Sequence, residues 1–424
     1  MWYVVGLRVM DDSAATTGAD TGSKRTLILQ EAARTLNRRG VTGTSLAEVA
    51  SGVGVTRAAL YYYFDDQEDL VFRCYARTCE VMALKLAEAL SGADDAIDIL
   101  GAFIDAVLDP DEPELAILSD VAYLGDANRK VIVGMYEGLI AQIGAILRRG
   151  VEAGLLRGCD RRLTAMLVLG LISWIPLQKR WAFSAAYSHA SLVKCVKSLL
   201  FDGMARDRSA PTDYESLVLG PADIPQNQVF DVAALAQAKQ EALLAAASWL
   251  FNLKGVDMTS LEEIAARVGV TKKVIYHNIG DKQALVAACY LRTLAFATSL
   301  AERAGDCEGS RAHAYARLMH GHAEARLRED IAPLSGLVGL DALPEPARQA
   351  TNESVTHLAD VAAALFRAGL ADGSLRGLDV GPLMAVLPGA VEWIPKWLSA
   401  EPAARRGAIA RELATLCLVG VRAV

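Results

Sequence analysis

Apolar residues recur along this chain at the three- and four-residue spacing of an amphipathic helix. Ile28, Ala32 and Leu36 share one helix face, and Gly40 follows as a stop. Later segments such as 163–179 are long and rich in Leu, Ile and Val. Strands would show alternating Val, Ile and Thr bounded by hairpin signals, and that pattern is missing from the sequence. The chain is therefore predicted to be all-α.

The helical pattern occurs twice. Residues 24–71 align without a gap on residues 239–286, at an offset of 215, and more than a third of the pairs are identical. A Trp-Ile-Pro sequence that begins at Trp174 returns at Trp393, at an offset of 219. Matches this far apart indicate that whole domains were duplicated.

A segment of different composition separates the two copies. Residues 207–232 contain Pro211, Pro221 and Pro225 among Ser, Asp, Asn and Gln. This composition predicts a linker.

Each copy contains two short helices joined by Gly-Val-Thr. Gly54 permits a left-handed turn, and Thr56 can cap the helix that follows. Val49, Val53 and Leu60 are placed to hold the two helices together. This arrangement is typical of a helix-turn-helix, whose second helix can lie in the major groove of DNA, although a short αα-turn alone is a weak signal.

The full strings are more specific than the turn. Residues 44–70, TSLAEVASGVGVTRAALYYYFDDQEDL, resemble the N-terminal domain of the tetracycline-repressor (TetR) family, and residues 259–285, TSLEEIAARVGVTKKVIYHNIGDKQAL, resemble it again. The resemblance implies two tandem all-α units, each with a three-helix helix-turn-helix DNA-binding domain followed by a helical ligand and dimerisation domain. The predicted division is a tail at 1–22, helix-turn-helix domains at 23–71 and 233–286, ligand and dimerisation domains at 72–206 and 287–424, and the linker at 207–232.

The first copy departs from the family pattern. Gln67 stands where the family has a lysine, which the second copy keeps as Lys282. Four carboxylates between residues 65 and 69 surround Gln67. Because carboxylates repel phosphates, the first copy is predicted to hold DNA more weakly.

By resemblance, the recognition helices and their flanks contact DNA. Arg57 and Lys272 are placed to read guanine, and Ala58 and Ala59 to meet a thymine methyl group. Phosphate contacts are expected from the hydroxyl groups and helix N-termini at positions 44 and 259, and from Lys282. The ordinary alternatives are a solvated cation on a short helix and, for the tyrosines, packing. The candidate set is Thr44, Ser45, Thr56, Arg57, Ala58, Ala59, Tyr61, Tyr62, Thr259, Ser260, Thr271, Lys272, Lys273, Val274, Tyr276, His277 and Lys282.

The resemblance implies a ligand-responsive DNA-binding transcriptional regulator, in this family usually a repressor. Because the two recognition helices differ at nearly every exposed position, the double-stranded DNA operator is predicted to be non-palindromic. The alternative is a TetR-derived ligand- or protein-binding module in which one or both helix-turn-helix units no longer bind DNA. Aromatic residues that are candidates for an effector pocket, or else plain core, are Phe103, Tyr123, Trp174, Tyr315 and Trp393.

The quaternary arrangement has two solutions. The last two helices of each copy can pair within one chain, as an intramolecular pseudo-dimer, or between two chains, as a homodimer of tandem chains. High local concentration across the linker favours the first solution.

Composition and the absence of known motifs exclude several other classes of protein. The apolar content of 53% excludes a disordered chain. Seven scattered cysteines without a CxxC indicate reduced thiols and a cytoplasmic protein, and uninterrupted apolar runs are too short to predict a membrane span. The sequence has no P-loop, GxSxG or HExxH, so neither an enzyme nor a cofactor is predicted. His320 and His322 point apart on a helix, so no metal site is predicted.

Overall fold

The structure of the chain is a computed structural model. It describes residues 18–178, 181, 187–209, 216–217, 232–337 and 343–424. Residues 1–17 of the predicted tail and most of the predicted linker lie outside the described residues. The prediction of an all-α fold is confirmed: within the described ranges the regular structure is helical, apart from two isolated β-bridges.

Eight helices form the described part of the first unit. They are α1 (Gly18–Gly43), α2 (Leu46–Gly52), α3 (Arg57–Leu60), α4 (Gln67–Gly92), α5 (Ala96–Val107), α6 (Asp126–Glu152), α7 (Arg161–Gln178) and α8 (His189–Asp202). The second unit repeats this order. Its helices are α9 (Val232–Lys254), α10 (Leu261–Val268), α11 (Lys272–Asn278), α12 (Lys282–Gly305), α13 (Arg311–Leu327), α14 (Glu345–Ala371), α15 (Val380–Val386), α16 (Ile394–Trp397) and α17 (Ala403–Val419).

The helix starts follow from capping residues at equivalent positions. The Asp66 carboxylate accepts from the Asp69 N–H at 2.8 Å, and the Asp281 carboxylate accepts from the Ala284 N–H at 2.8 Å. Each bond satisfies one of the free N–H groups in the first turn of a long helix. The two units therefore begin α4 and α12 in the same way.

The units differ where α7 has its counterpart. In the second unit that helix is broken into α15, a 3₁₀ turn at Leu387–Ala390, and α16. Pro388 lacks a backbone N–H, and its ring clashes with the preceding helical turn. The matching residue in α7 is Leu169, and α7 runs unbroken to Gln178.

The two units contact each other through equivalent parts. Gly203 after α8 and Gly420 after α17 share one backbone conformation, with φ/ψ of 66/−164° and 67/−166°. A β-carbon on Gly203 would lie 2.3 Å from the Leu418 carbonyl oxygen, and one on Gly420 would lie 2.5 Å from the Phe201 carbonyl oxygen. Only glycine permits this reciprocal approach of the two helix ends.

The same reciprocity holds in the middle of the contact. Trp393 covers Gly170 on α7, and Trp174 covers Gly389 in the 3₁₀ turn. The Trp174 indole N–H also donates to the Ala385 carbonyl at 2.8 Å. Each unit thus inserts its tryptophan against the glycine of the other.

The second helix-turn-helix domain is also packed against the first unit. Its hydrophobic core, which includes Leu250 and Phe251, continues into residues of the first unit. Those residues are Ile117, Trp174, Leu177 and Trp181. Trp181 meets Tyr290 of α12 edge-on, with ring centroids 6.2 Å apart.

Two helices, α6 and α12, are long and apolar enough to cross a membrane on length and composition alone. Core helices of other proteins pass the same test, so this is weak evidence. Both helices pack against neighbours inside their units: α6 against α4 and α7, and α12 against α13 and α14.

Candidate DNA-binding interface

The first helix-turn-helix is locked by a small apolar core. Val49, Ala50 and Leu60 are buried between α2 and α3. The Thr56 hydroxyl oxygen accepts from the Ala59 N–H at 3.2 Å, which fixes the start of the recognition helix α3. Gly54 turns the chain between the helices with φ of 71°.

One face of the first recognition helix is left to solvent. Arg57 and Ala58 are exposed, and Tyr61 and Tyr62 are 48% and 78% exposed. The Tyr62 ring meets Tyr63 edge-on, with ring centroids 5.2 Å apart, and the rest of its surface is available to a partner.

The second helix-turn-helix repeats the arrangement with different side chains. Ile264 and Ile275 form its core, and Gly269 turns the chain with φ of 75°. Its recognition helix exposes four residues of the candidate set, of which only Tyr276 is identical to its first-copy counterpart, Tyr61. They are Lys273, Val274, Tyr276 and His277.

The structure does not support the predicted phosphate contacts from the side chains of the threonines at the start of each motif. Thr44 and Thr259 are buried. Their hydroxyl groups donate to the carbonyl oxygens of Gly40 and Gly255, at 2.6 and 2.8 Å. A buried hydroxyl that is already bonded does not meet a phosphate, so these side chains fix the turn before α2 and α10. The neighbouring N-caps Ser45 and Ser260 are exposed.

Gln67 takes over the structural part of the family lysine. Its amide N–H groups donate to the carbonyl oxygens of Val41 and Thr44, at 2.8 and 3.1 Å. Lys282 makes a similar bond in the second unit, to the carbonyl of Asp257 in the same turn, at 3.3 Å. The amide retains the tie between α4 and the end of α1 but not the positive charge.

The acidic residues beside Gln67 are mostly engaged within the protein. Glu68 accepts from the Gly125 N–H at 2.8 Å and from the Asn128 side chain at 3.0 Å. Asp69 pairs with Arg73 at 2.8 Å. Glu68 thus holds the start of α4 against α6, and Asp69 pairs within α4; the sequence alone did not reveal these roles.

The first cation of each recognition helix contacts different side chains in the two units. The Arg57 guanidinium donates to the Tyr61 hydroxyl at 3.3 Å. The Lys272 ammonium lies 2.7 Å from the Glu262 carboxylate and 5.5 Å from the centre of the Tyr276 ring. Glu262 was not a predicted site residue; the signal for it is its position, which the first copy fills with Ala47.

Behind the DNA-binding domains lies a cavity of about 620 Å³ between the two units. Trp174 and Trp393, both candidate pocket residues, line it. Tyr136 and Trp397 stack in its wall with ring centroids 4.4 Å apart. An aromatic and largely apolar wall of this size suits a small organic molecule.

A second cavity of about 150 Å³ lies in the second unit. Tyr315 lines it, together with Trp174 and Trp181 from the first unit. Phe103 is buried in the core and Tyr123 lies in a 3₁₀ turn; neither lines either of these two cavities.

The second cavity has a charged wall that sequence reasoning missed. Arg326 and Glu392 form an ion pair there, and both are buried. The Gly336 N–H donates to the other Glu392 carboxylate oxygen at 2.7 Å. Burial beside Arg326 lowers the pKa of His322 to about 3, so this imidazole is neutral near pH 7. Among the residues that the structure describes, no group of His, Cys, Asp and Glu is arranged to hold a metal ion.

Comparison with known families assigns the two helix-turn-helix segments. Residues 28–74 and 243–289 each match the family described as bacterial regulatory proteins, tetR family. Residues 98–181 match the tetracyclin repressor-like C-terminal domain. The prediction of a TetR-family regulator is thereby confirmed. The chain is a tandem TetR protein, as the repeat predicted.

Three similar proteins each match about two fifths of this chain. The regulator AcrR from Shigella flexneri is 26% identical over 186 residues, which are 40% of this chain and 84% of AcrR. TtgR from Pseudomonas putida is 27% identical over 183 residues, covering 39% and 83% of the two chains. The crystal structure of PfmR from Thermus thermophilus is 24% identical and covers 42% of this chain and 97% of PfmR, with a TM-score of 0.37.

Membership of the TetR family gives the coarse function. The tandem TetR protein is a DNA-binding transcriptional regulator and not an enzyme, as predicted. One structure of similar fold, AibR, was solved in complex with isovaleryl coenzyme A and operator DNA.

Proposed function

We propose that the tandem TetR protein is a ligand-responsive repressor that acts as a covalent pseudo-dimer. The observation that carries the proposal is the reciprocal contact of Trp174 with Gly389 and of Trp393 with Gly170. A two-fold interface uses the same surface patch on both subunits. Here both patches belong to one chain.

The operator of this pseudo-dimer has two unlike halves. The first recognition helix presents Arg57 and Tyr62. The second presents His277 at the position of Tyr62, and Lys273 at the position that Ala58 fills in the first. Direct readout depends on the side chains that reach the base edges. Different side chains therefore select different half-sites. The contacts come from the exposed members of the candidate set and not from the buried Thr44 and Thr259.

The effector enters the 620 Å³ cavity, and its occupancy is transmitted to DNA binding. Ile117 and Trp174 line this cavity and also pack into the core of the second DNA-binding domain. Ile117 lies in the loop between α5 and α6. The Asn37 side chain of α1 holds this loop by donating to the Leu115 carbonyl at 2.7 Å and accepting from the Ile117 N–H at 2.8 Å. A ligand that displaces this loop alters contacts made by both DNA-binding domains.

The experiment is selection of DNA sites from a random pool by the intact chain and by Arg57→Ala and Lys272→Ala. We expect one site with two unlike halves, each relaxed by one variant. Sedimentation is expected to give the mass of one chain, 45.3 kDa. A symmetric site, or twice that mass, contradicts the pseudo-dimer.

A second candidate function is a ligand- or protein-binding module with an idle DNA-binding domain. The neutral Gln67 favours it for the first unit, because one family cation is missing there. Failure to enrich any DNA at low salt would support this candidate over the repressor.

A further inference from the structure

The second DNA-binding domain carries a carboxylate at its reading edge. Glu262 lies in the first turn of α10, and its carboxylate is 2.7 Å from the ammonium of Lys272, the first residue of α11. In a helix-turn-helix the N-terminal residues of the recognition helix meet the base edges. A side chain that touches Lys272 therefore lies at the same edge.

Other residues supply the helix cap and the ion pair that stabilise α10 in this domain. The cap of α10 is Ser260, whose hydroxyl oxygen accepts from the Glu263 N–H at 3.0 Å. The ion pair that ties α10 to α9 joins Glu263 to Lys254. The first unit repeats that tie between Glu48 and Arg39 at 3.0 Å. The Glu262 side chain is 63% exposed.

The first unit lacks this carboxylate. Its equivalent residue is Ala47, and Arg57 stands at the position of Lys272. Arg57 therefore presents an unopposed cation to DNA, whereas Lys272 presents a cation and an acceptor side by side. The hydrogen bond that Lys272 donates to Glu262 also raises the pKa of Lys272 and lowers that of Glu262, so the pair is ionised near pH 7.

We propose that Glu262 is a specificity-determining residue of the second half-site. This inference rests on the proposed function. A carboxylate accepts from the exocyclic amino group of cytosine and repels the acceptor-only edge of guanine. It also restrains Lys272 from neutralising a phosphate. The second half-site is thereby selected for an amino group in the major groove, and the first half-site is not.

The test compares Glu262→Gln and Glu262→Ala with Ala47→Glu, the matched change in the first unit. Site selection and binding titrations over a salt series are made on the full chain. Melting curves identify any variant that fails to fold, which the exposure of both positions makes an unexpected result.

For Glu262→Ala we expect the second half-site to lose its amino-group preference, by about tenfold at that base pair, with the first half-site unchanged. Glu262→Gln loses the charge that holds Lys272 but keeps an amide oxygen that accepts from an amino group, so its preference should move towards adenine. Release of Lys272 should steepen the slope of log affinity against log salt by about 0.9. Ala47→Glu should impose a new preference on the first half-site and weaken it.

Two results overturn the inference, and they are distinguishable. If the wild-type chain selects two half-sites and the Glu262 variants select the same second half-site with the same salt slope, Glu262 does not determine specificity while the proposed function stands. If the wild-type chain selects no second half-site, the proposed function of that domain and the inference both fail.

Discussion

Replacing Gly203 with alanine tests the contact between the ends of α8 and α17. The φ/ψ of Gly203, 66/−164°, lies in a region that only glycine adopts at low cost. An added β-carbon would also lie 2.3 Å from the Leu418 carbonyl oxygen and 2.6 Å from the Gly420 nitrogen. Both are backbone atoms and cannot rotate away, so the two helix ends have to separate.

The expected loss of folding free energy follows from comparison with a second glycine, Gly40. Gly40 has nearly the same backbone, with φ/ψ of 68/179°, but its β-carbon would meet only the Asp120 carboxylate, at 3.9 Å. Gly40→Ala therefore costs the conformational strain alone, about 1–3 kcal/mol.

Gly203→Ala adds the loss of interlocking backbone hydrogen bonds. These include Ala205 N–H to Leu418 O at 2.7 Å and Arg422 N–H to Phe201 O at 2.8 Å. At about 1 kcal/mol each, their loss makes Gly203→Ala at least about 2 kcal/mol worse than Gly40→Ala.

The assay is urea unfolding followed by far-ultraviolet circular dichroism, on the wild type and the two variants. We expect the Gly203→Ala midpoint to fall clearly below that of Gly40→Ala. Equal midpoints would refute the reasoning, because they would show that the helix ends do not approach this closely. Gly420→Ala is the symmetric repeat and should match Gly203→Ala.

Three further predictions concern charge and titration. Gln67→Lys should raise DNA affinity and steepen the log–log salt slope by about 0.9, by one phosphate contact; an unchanged slope would place this side chain away from the backbone of DNA. Burial lowers the pKa of His322 to about 3, so the unfolded chain binds a proton that the folded chain does not between that value and 6.5. The free energy of unfolding should therefore fall as pH drops through this window, and His322→Gln should flatten the dependence; a parallel pH curve for the variant would contradict it. Burial raises the pKa of the Cys74 and Cys289 thiols to about 12, so iodoacetamide at pH 8 should leave both unmodified in the native protein and label them after unfolding, as read by mass spectrometry.

Local signals in the sequence were sufficient for the fold. The i, i+4 apolar spacing ending at Gly40 and the turn at Gly54 correspond to α1 and to the α2–α3 turn. The duplication predicted tandem units, which the two matched segments confirm. These features depend on neighbours in sequence, so they can be read without tertiary contacts.

The surroundings of the interface and cavity residues could not be predicted from local sequence patterns. Thr44 reads as a phosphate ligand in its motif, but its hydroxyl is buried against Gly40. The Arg326–Glu392 pair joins residues 66 positions apart and has no local pattern. Glu262 became visible only through its distance to Lys272. Burial and side-chain pairing of this kind are decided by tertiary structure.

The interlocked ends of α8 and α17 have a consequence for dosage. A regulator assembled from separate chains falls apart on dilution, so its occupancy of DNA depends on a higher power of its concentration. When both DNA-binding domains belong to one chain, their association is intramolecular and independent of dilution. For the proposed pseudo-dimer, operator occupancy then follows the first power of protein concentration, with a Hill coefficient of about 1. Such a switch responds in proportion to its own synthesis, even when a cell holds only a few copies.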